Sequence, residues 1–173
     1  SNAITLTTDA IALGGNLSST GALIIQPKTA TTTIAIGSAA TGDLKIDDAE
    51  LARLVDGFSS ITIGSTTGTG AIAVAYTTPY TFLDPLTIQS KSTSGGGSIT
   101  ATSALASAGN SLTLSTYGAV TVAAITSGTL SVTGNGITLN GNVTTSGTQT
   151  YTGAVTLGAS LTAASTGTSA NGN

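Results

Sequence analysis

"LTLSTYGAVTVAAITSGTLSVTGNGITL" (residues 112–139) repeats one short phrase: Leu112-Thr113-Leu114, Val120-Thr121-Val122, Leu130-Ser131-Val132 and Ile137-Thr138-Leu139. Each phrase is an aliphatic residue, a hydroxyl residue and a second aliphatic residue. In an extended chain, two side chains then point one way and the hydroxyl points the other. The same phrase recurs at Ile4–Leu6, Ile61–Ile63, Leu86–Ile88 and Val155–Leu157. Between the phrases stand "GG", "TSGGGS", "SAGNS", "GNG" and "NGN", in which Gly and Asn supply the backbone freedom that tight turns need. The reading is a chain of many short strands with short connections.

Short strands build sandwiches, barrels or solenoids. The inward residues here are almost all Val, Ile, Leu and Ala, which suits a narrow core that stacks like on like along an axis. A sandwich core about 10 Å thick is normally filled with aromatic residues, and only 3% of this chain is aromatic. The unequal spacing of the phrases fits rungs whose turns differ in length. Rungs of roughly 20 residues predict about eight turns and a rod on the order of 40 Å long.

Composition narrows the function classes. The 173 residues include 39% apolar and only 6% charged residues, with no Cys, Met, Trp or His and a net charge of −3. That balance favours a packed β-structure over disorder. The four basic residues, Lys28, Lys45, Arg53 and Lys91, are scattered and form no patch for a phosphate backbone, so nucleic acid is not an expected partner. No window is long and apolar enough for a membrane-spanning helix. Without Cys there are no disulfides, thiolate nucleophiles or Cys-based metal sites. A Cys-free chain also suits export through an outer-membrane pore in the unfolded state. Ser1-Asn2-Ala3 read as the scar of a removed expression tag, leaving 4–173 as a single solenoid unit.

The repeated rungs, together with "GTQTYTGAVTLGASLT" (147–162) and "DAELARLVDGFSSITIGSTTGTGAIAV" (48–74), resemble the large filamentous-haemagglutinin-like exoproteins, the passengers of two-partner secretion. The resemblance implies an all-β, right-handed parallel β-helix (β-solenoid), secreted or held at the cell surface in association with the outer membrane. It also implies an adhesive or scaffolding role. Expected partners are a protein or carbohydrate on a host or neighbouring cell, and the adjoining rungs of a longer filament. No motif of the secretion region stands out, so an internal segment of such a filament is expected.

"GDLKIDDAELARLVDGFSS" (42–60) breaks the pattern, because it holds seven of the charged residues: Asp43, Lys45, Asp47, Asp48, Glu50, Arg53 and Asp56. Asp47 as N-cap with Glu50 three residues on is a capping box, and Ile46 and Leu51 flank it as a hydrophobic staple. With Gly57 as the stop signal, these features predict a helical insertion over 47–57. Its apolar stripe is Leu51, Leu54, Val55 and Phe58, and its charges are expected to face water. "YTTPYTFLDP" (76–85) concentrates aromatic residues and prolines in a loop; Tyr76, Tyr80 and Phe82 are the candidate ligand or partner surface. The rival reading is that these rings cover the helix. Tyr117 and Tyr151 read as local packing.

No catalytic, cofactor-binding or metal-ligating set emerges. Acids outside the charged stretch 42–60 are confined to Asp9 and Asp84, "TSGGGSIT" lacks the lysine of a phosphate loop, and the calcium-binding nonapeptide is missing. A non-enzymatic rod is the leading expectation. Two rivals stand beside it: a Thr-rich ice-binding solenoid and, behind that, a polysaccharide-active enzyme. The ice-binding reading calls for a regular face of threonines, which the uneven spacing of T-x-T units argues against. An enzyme would need two carboxylates facing one another across a groove.

Overall fold

A computed structural model describes residues 2–93, 95–158 and 160–166. The chain is a parallel β-solenoid. Its first turns contain β1 (Ile4–Thr7), β2 (Ala22–Gln26), β3 (Ile34–Ile36), β4 (Leu44–Ile46) and the helix α1 (Asp48–Leu51). From there the coil becomes regular, with β5 (Ser60–Ser65), β6 (Ile72–Val74) and β7 (Thr81–Phe82), then β8 (Leu86–Ser90), β9 (Ile99–Ala101) and β10 (Leu105–Ser107). The last turns are β11 (Leu112–Thr116), β12 (Ala119–Val122) and β13 (Ile125–Ser127), then β14 (Leu130–Leu139) with β15 (Val143–Thr145), and β16 (Gln149–Leu157) with β17 (Ala163–Ser165).

Three faces result. The first stacks β1, β2, β5, β8, β11 and the front halves of β14 and β16. The second stacks β4, β3, β6, β9, β12 and the back halves of β14 and β16. The third is a separate five-stranded sheet, β7-β10-β13-β15-β17. All pairings are parallel, and β14 turns the corner between two faces with a register shift between Thr133 and Gly136. The first face thus has seven strands where about eight turns were expected. The difference comes from the second turn, which takes up the whole segment between β3 and β5.

The repeated phrase works as read. Leu23, Ile61, Leu86, Leu112 and Leu130 lie in register on the first face, and Ile34, Ile72, Ile99, Val120 and Ile137 on the second, all buried. Aliphatic stacks on aliphatic, so each side chain meets branched partners of similar size above and below, and burial of each contributes about 1.5–3 kcal/mol. Turn length varies: Thr116 sits over Ser90, 26 residues earlier, whereas Ser146 sits over Gly128, 18 residues earlier.

The insertion differs from the expected helix. The capping box is present: the Asp47 side chain accepts from the Glu50 N–H at 2.8 Å, and Glu50 Oε2 accepts from the Asp47 N–H at 3.1 Å. However, α1 is a single turn and does not run to Gly57. After Leu51 the chain tightens into three-residue bonds, Arg53 N–H to Glu50 O and Leu54 N–H to Leu51 O. It then becomes extended, where Leu54 forms a parallel bridge with Leu17. The parallel bridge to Leu17 overrides helix propensity here. Leu51, Leu54 and Phe58 are buried in the core, while Val55 points outward. Just before the helix, β4 pairs with β3 on the side opposite β6. The chain therefore doubles back and supplies a second-face strand at the level of β1.

Candidate functional site

The mid-strand hydroxyls form columns. On the first face Thr62, Thr87, Thr113, Ser131 and Thr150 pair in register across five successive strands. Beside them run Gln89, Ser115, Thr133 and Thr152. On the second face Thr100, Thr121, Thr138 and Thr156 form another column. Parallel pairing holds neighbours in a column about 4.8 Å apart, and alternate residues along a strand about 6.6 Å apart. The uneven spacing in sequence is absorbed by the turns, so the faces are more regular than the one-dimensional pattern. The array is incomplete: Ile24 and Gln26 interrupt it at β2, and Ser115 is recessed. After Lys91 the chain has no charged residue, so this half of the surface is neutral.

At the corner between the first two faces lies a groove of about 340 Å³, lined by Thr116, Tyr117, Thr133, Gly134, Asn135, Thr152 and Gly153. Tyr117 is 50% exposed, which is not the local packing expected of it. It sits in the short turn from β11 to β12. The next two turns place glycine beside it, because a Cβ on Gly134 would press on Val120, and one on Gly153 (φ 137°) would land on the Gly134 carbonyl oxygen. Those glycines leave the ring standing above a floor of backbone. Thr116 is committed: its hydroxyl donates to the Ser90 carbonyl at 2.9 Å and contacts the Gly97 carbonyl, and it accepts from the Gly118 N–H at 2.9 Å. The hydroxyls of Tyr117, Thr133 and Thr152 and the amide of Asn135 have no side-chain hydrogen bond among the described residues, and remain available to a ligand.

The aromatic loop faces the other way. Phe82 is fully buried, so its ring is part of the core and not of a surface. Tyr80 packs edge-on against it with ring centres 4.9 Å apart, and donates its hydroxyl to the Leu51 carbonyl at 2.9 Å. Tyr76 lies 6.2 Å from Tyr80, with its hydroxyl buried and unpartnered among the described residues. Burial pushes both phenols above the usual tyrosine range, helped at Tyr76 by Tyr80 and Asp48 and at Tyr80 by Asp84. The three rings are brought together, but they lock the end of α1 to the next turn.

Several carboxylates bond neighbouring segments, while Asp43 and Asp56 are exposed, as expected of the insertion's charges. Asp48 accepts from the N–H groups of Ser38 (2.7 Å), Thr77 (2.9 Å) and Thr78 (3.2 Å) and from the Thr77 hydroxyl. Burial opposes its ionisation, but these donors together outweigh it and hold the carboxyl at about 2. Glu50 accepts from the Leu13 N–H, Asp84 from the Gly57 N–H and Asp43 from the Thr33 hydroxyl. Asp9 clamps Thr29 and Thr32, and those hydrogen bonds lower its pKa. Each acid fastens one loop to another. Among the described residues no three His, Cys, Asp or Glu converge as a metal site would require, and no helix is long and apolar enough to cross a membrane.

Comparison of the chain with family models, with curated proteins and with solved structures gave no match.

Proposed function

We propose that this chain is a non-enzymatic structural and adhesive segment of a large exported exoprotein, a rod whose neutral hydroxyl faces present a binding surface at the cell exterior. The observation that carries the reading is the in-register stacking of near-identical rungs, with hydroxyl columns outward and the carboxylates used as loop clamps. Such a rod offers repeated weak contacts along its length, which favours adhesion by many copies over tight binding by one. Among the described residues nothing stacks on the last turn: Val155 and Leu157 are 44% and 58% exposed where their counterparts in β14 are buried. The test is adhesion of beads coated with the chain to bacterial and animal cell surfaces. Retention above uncoated beads supports the reading, and retention no greater than with an unrelated neutral β-protein removes it.

A second reading is favoured by the first-face column from Thr62 to Thr150. A flat array of hydroxyls at the spacings of a parallel sheet can order water and bind ice. Thermal hysteresis that disappears in Thr113→Lys would establish it. Freezing behaviour equal to that of an unrelated protein at the same concentration would exclude it.

A further inference from the structure

We infer that the corner groove beside Tyr117 is a binding site for neutral carbohydrate, a deepening of the adhesive reading on which it rests. Three features converge on that ligand class. The ring of Tyr117 is a half-exposed aromatic plane on a turn, held at its base by the turn's own bonds from Gly118 N–H to Thr116. Aromatic planes of this kind pack against the C–H face of a sugar ring, while the phenol hydroxyl reaches a polar partner. The groove also holds the unengaged hydroxyls of Thr133 and Thr152 and the Asn135 amide, so donors and acceptors stand around one apolar plane. Sugars need that mixture, because each hydroxyl removed from water must be repaid by a hydrogen bond.

Charge sets the class. No acidic or basic side chain lines the groove, so a neutral sugar brings no unpaired charge into it; Lys91, next to Ser90, the register partner of Thr116, stands one turn away and outside the lining. A volume of about 340 Å³ is at the lower end for small-molecule sites. It accommodates a short stretch of a glycan whose remainder runs on over the hydroxyl columns. Few polar contacts and one ring imply weak single-site binding, with a Kd on the order of 1 mM. Multivalent display along a filament then raises the effective strength.

The experiment is an NMR titration of the whole chain with cellohexaose and maltohexaose as neutral probes and oligogalacturonate as the anionic control. The expected result is saturable shifts at Tyr117, Thr133, Asn135 and Thr152 with at least one neutral probe, and none with the anionic one. Tyr117→Ala should weaken binding about tenfold with an unchanged melting temperature, and Tyr117→Trp should preserve it. Equal affinity in Tyr117→Ala, shifts that map elsewhere, or no shift with either neutral probe would overturn the assignment. The bead assay separates the two readings. Beads that adhere equally with Tyr117→Ala leave the adhesive rod standing and remove the sugar site. A saturable sugar titration with no bead adhesion does the reverse.

Discussion

The turns up to Asp84 and those after Lys91 close the same stack by different chemistry. In the early half the loops are long and carboxylates fasten them: Asp9 holds Thr29, Asp48 holds Ser38 and Thr77, and Asp84 holds Gly57. In the late half the connections are short and uncharged, and hydroxyls bond carbonyls of their own turn or of the neighbouring one. Ser107 donates to Asn110 O at 2.7 Å, Thr145 to Gly147 O at 2.6 Å and Ser165 to the same Gly147 O at 2.7 Å. The difference teaches that a solenoid core tolerates irregular excursions where an acid can gather several N–H donors at once. Where excursions are short, glycine and a single hydroxyl suffice.

The comparison can be broken most forcefully at the insertion. Replacing Leu51 and Leu54 together by Asp puts two charges into the core and should cost more than about 4 kcal/mol. Urea unfolding measures this, and a midpoint equal to that of the parent chain would mean that α1 is not part of the core. In the late half the matching break is Gly153→Ala. Its positive φ and the Gly134 carbonyl oppose a side chain, and a loss of about 2 kcal/mol or more is expected. Hydrogen exchange should rise in β14 and β16 and stay unchanged around β3 and β4; uniform acceleration would contradict independent closure of the halves.

The acid clamp supplies a pH test. The Asp48 carboxyl is held at about 2 in the folded chain, below its unfolded value of 3.8. Its contribution is therefore complete above about pH 4 and is lost as pH falls through the folded value. Asp48→Asn should lower stability by about 1–2 kcal/mol at neutral pH and flatten the fall in stability between pH 4 and pH 2. An unchanged acid profile in the variant would assign that fall to other groups. The smallest expected effect has the opposite sign. Tyr76→Phe removes a buried hydroxyl without a partner and should stabilise by up to about 1 kcal/mol, seen as a raised melting temperature.

The regular turns were legible because their signal is local: aliphatic, hydroxyl, aliphatic predicts the strand and both of its faces. The capping box at Asp47 and Glu50 was legible for the same reason. The end of α1 was not, because the bridge from Leu54 to Leu17 lies far away in sequence. The clamping by Asp48, Glu50 and Asp84 was hidden too, since a carboxylate holding a distant loop has the same local context as a solvated one. Phe82 misled because Pro and Tyr neighbours mark a loop, while its own side chain completes the third face. Tyr117 gave one faint sign: it stands in the turn between two phrases, off their alternation, where a side chain has no inward position to take.

The late turns have a consequence for how such a chain changes length over generations. Leu130 stands over Leu112 and Val143 over Ile125, each 18 residues apart. A tandem duplication of one such unit would insert a complete rung with matching surfaces on both sides, lengthening the rod by about 4.8 Å without a seam. The same event across the early half would copy Asp48 away from Thr77, or Thr77 away from Asp48, and strand an acid. Growth by gene duplication is therefore nearly neutral at one end of this molecule and costly at the other.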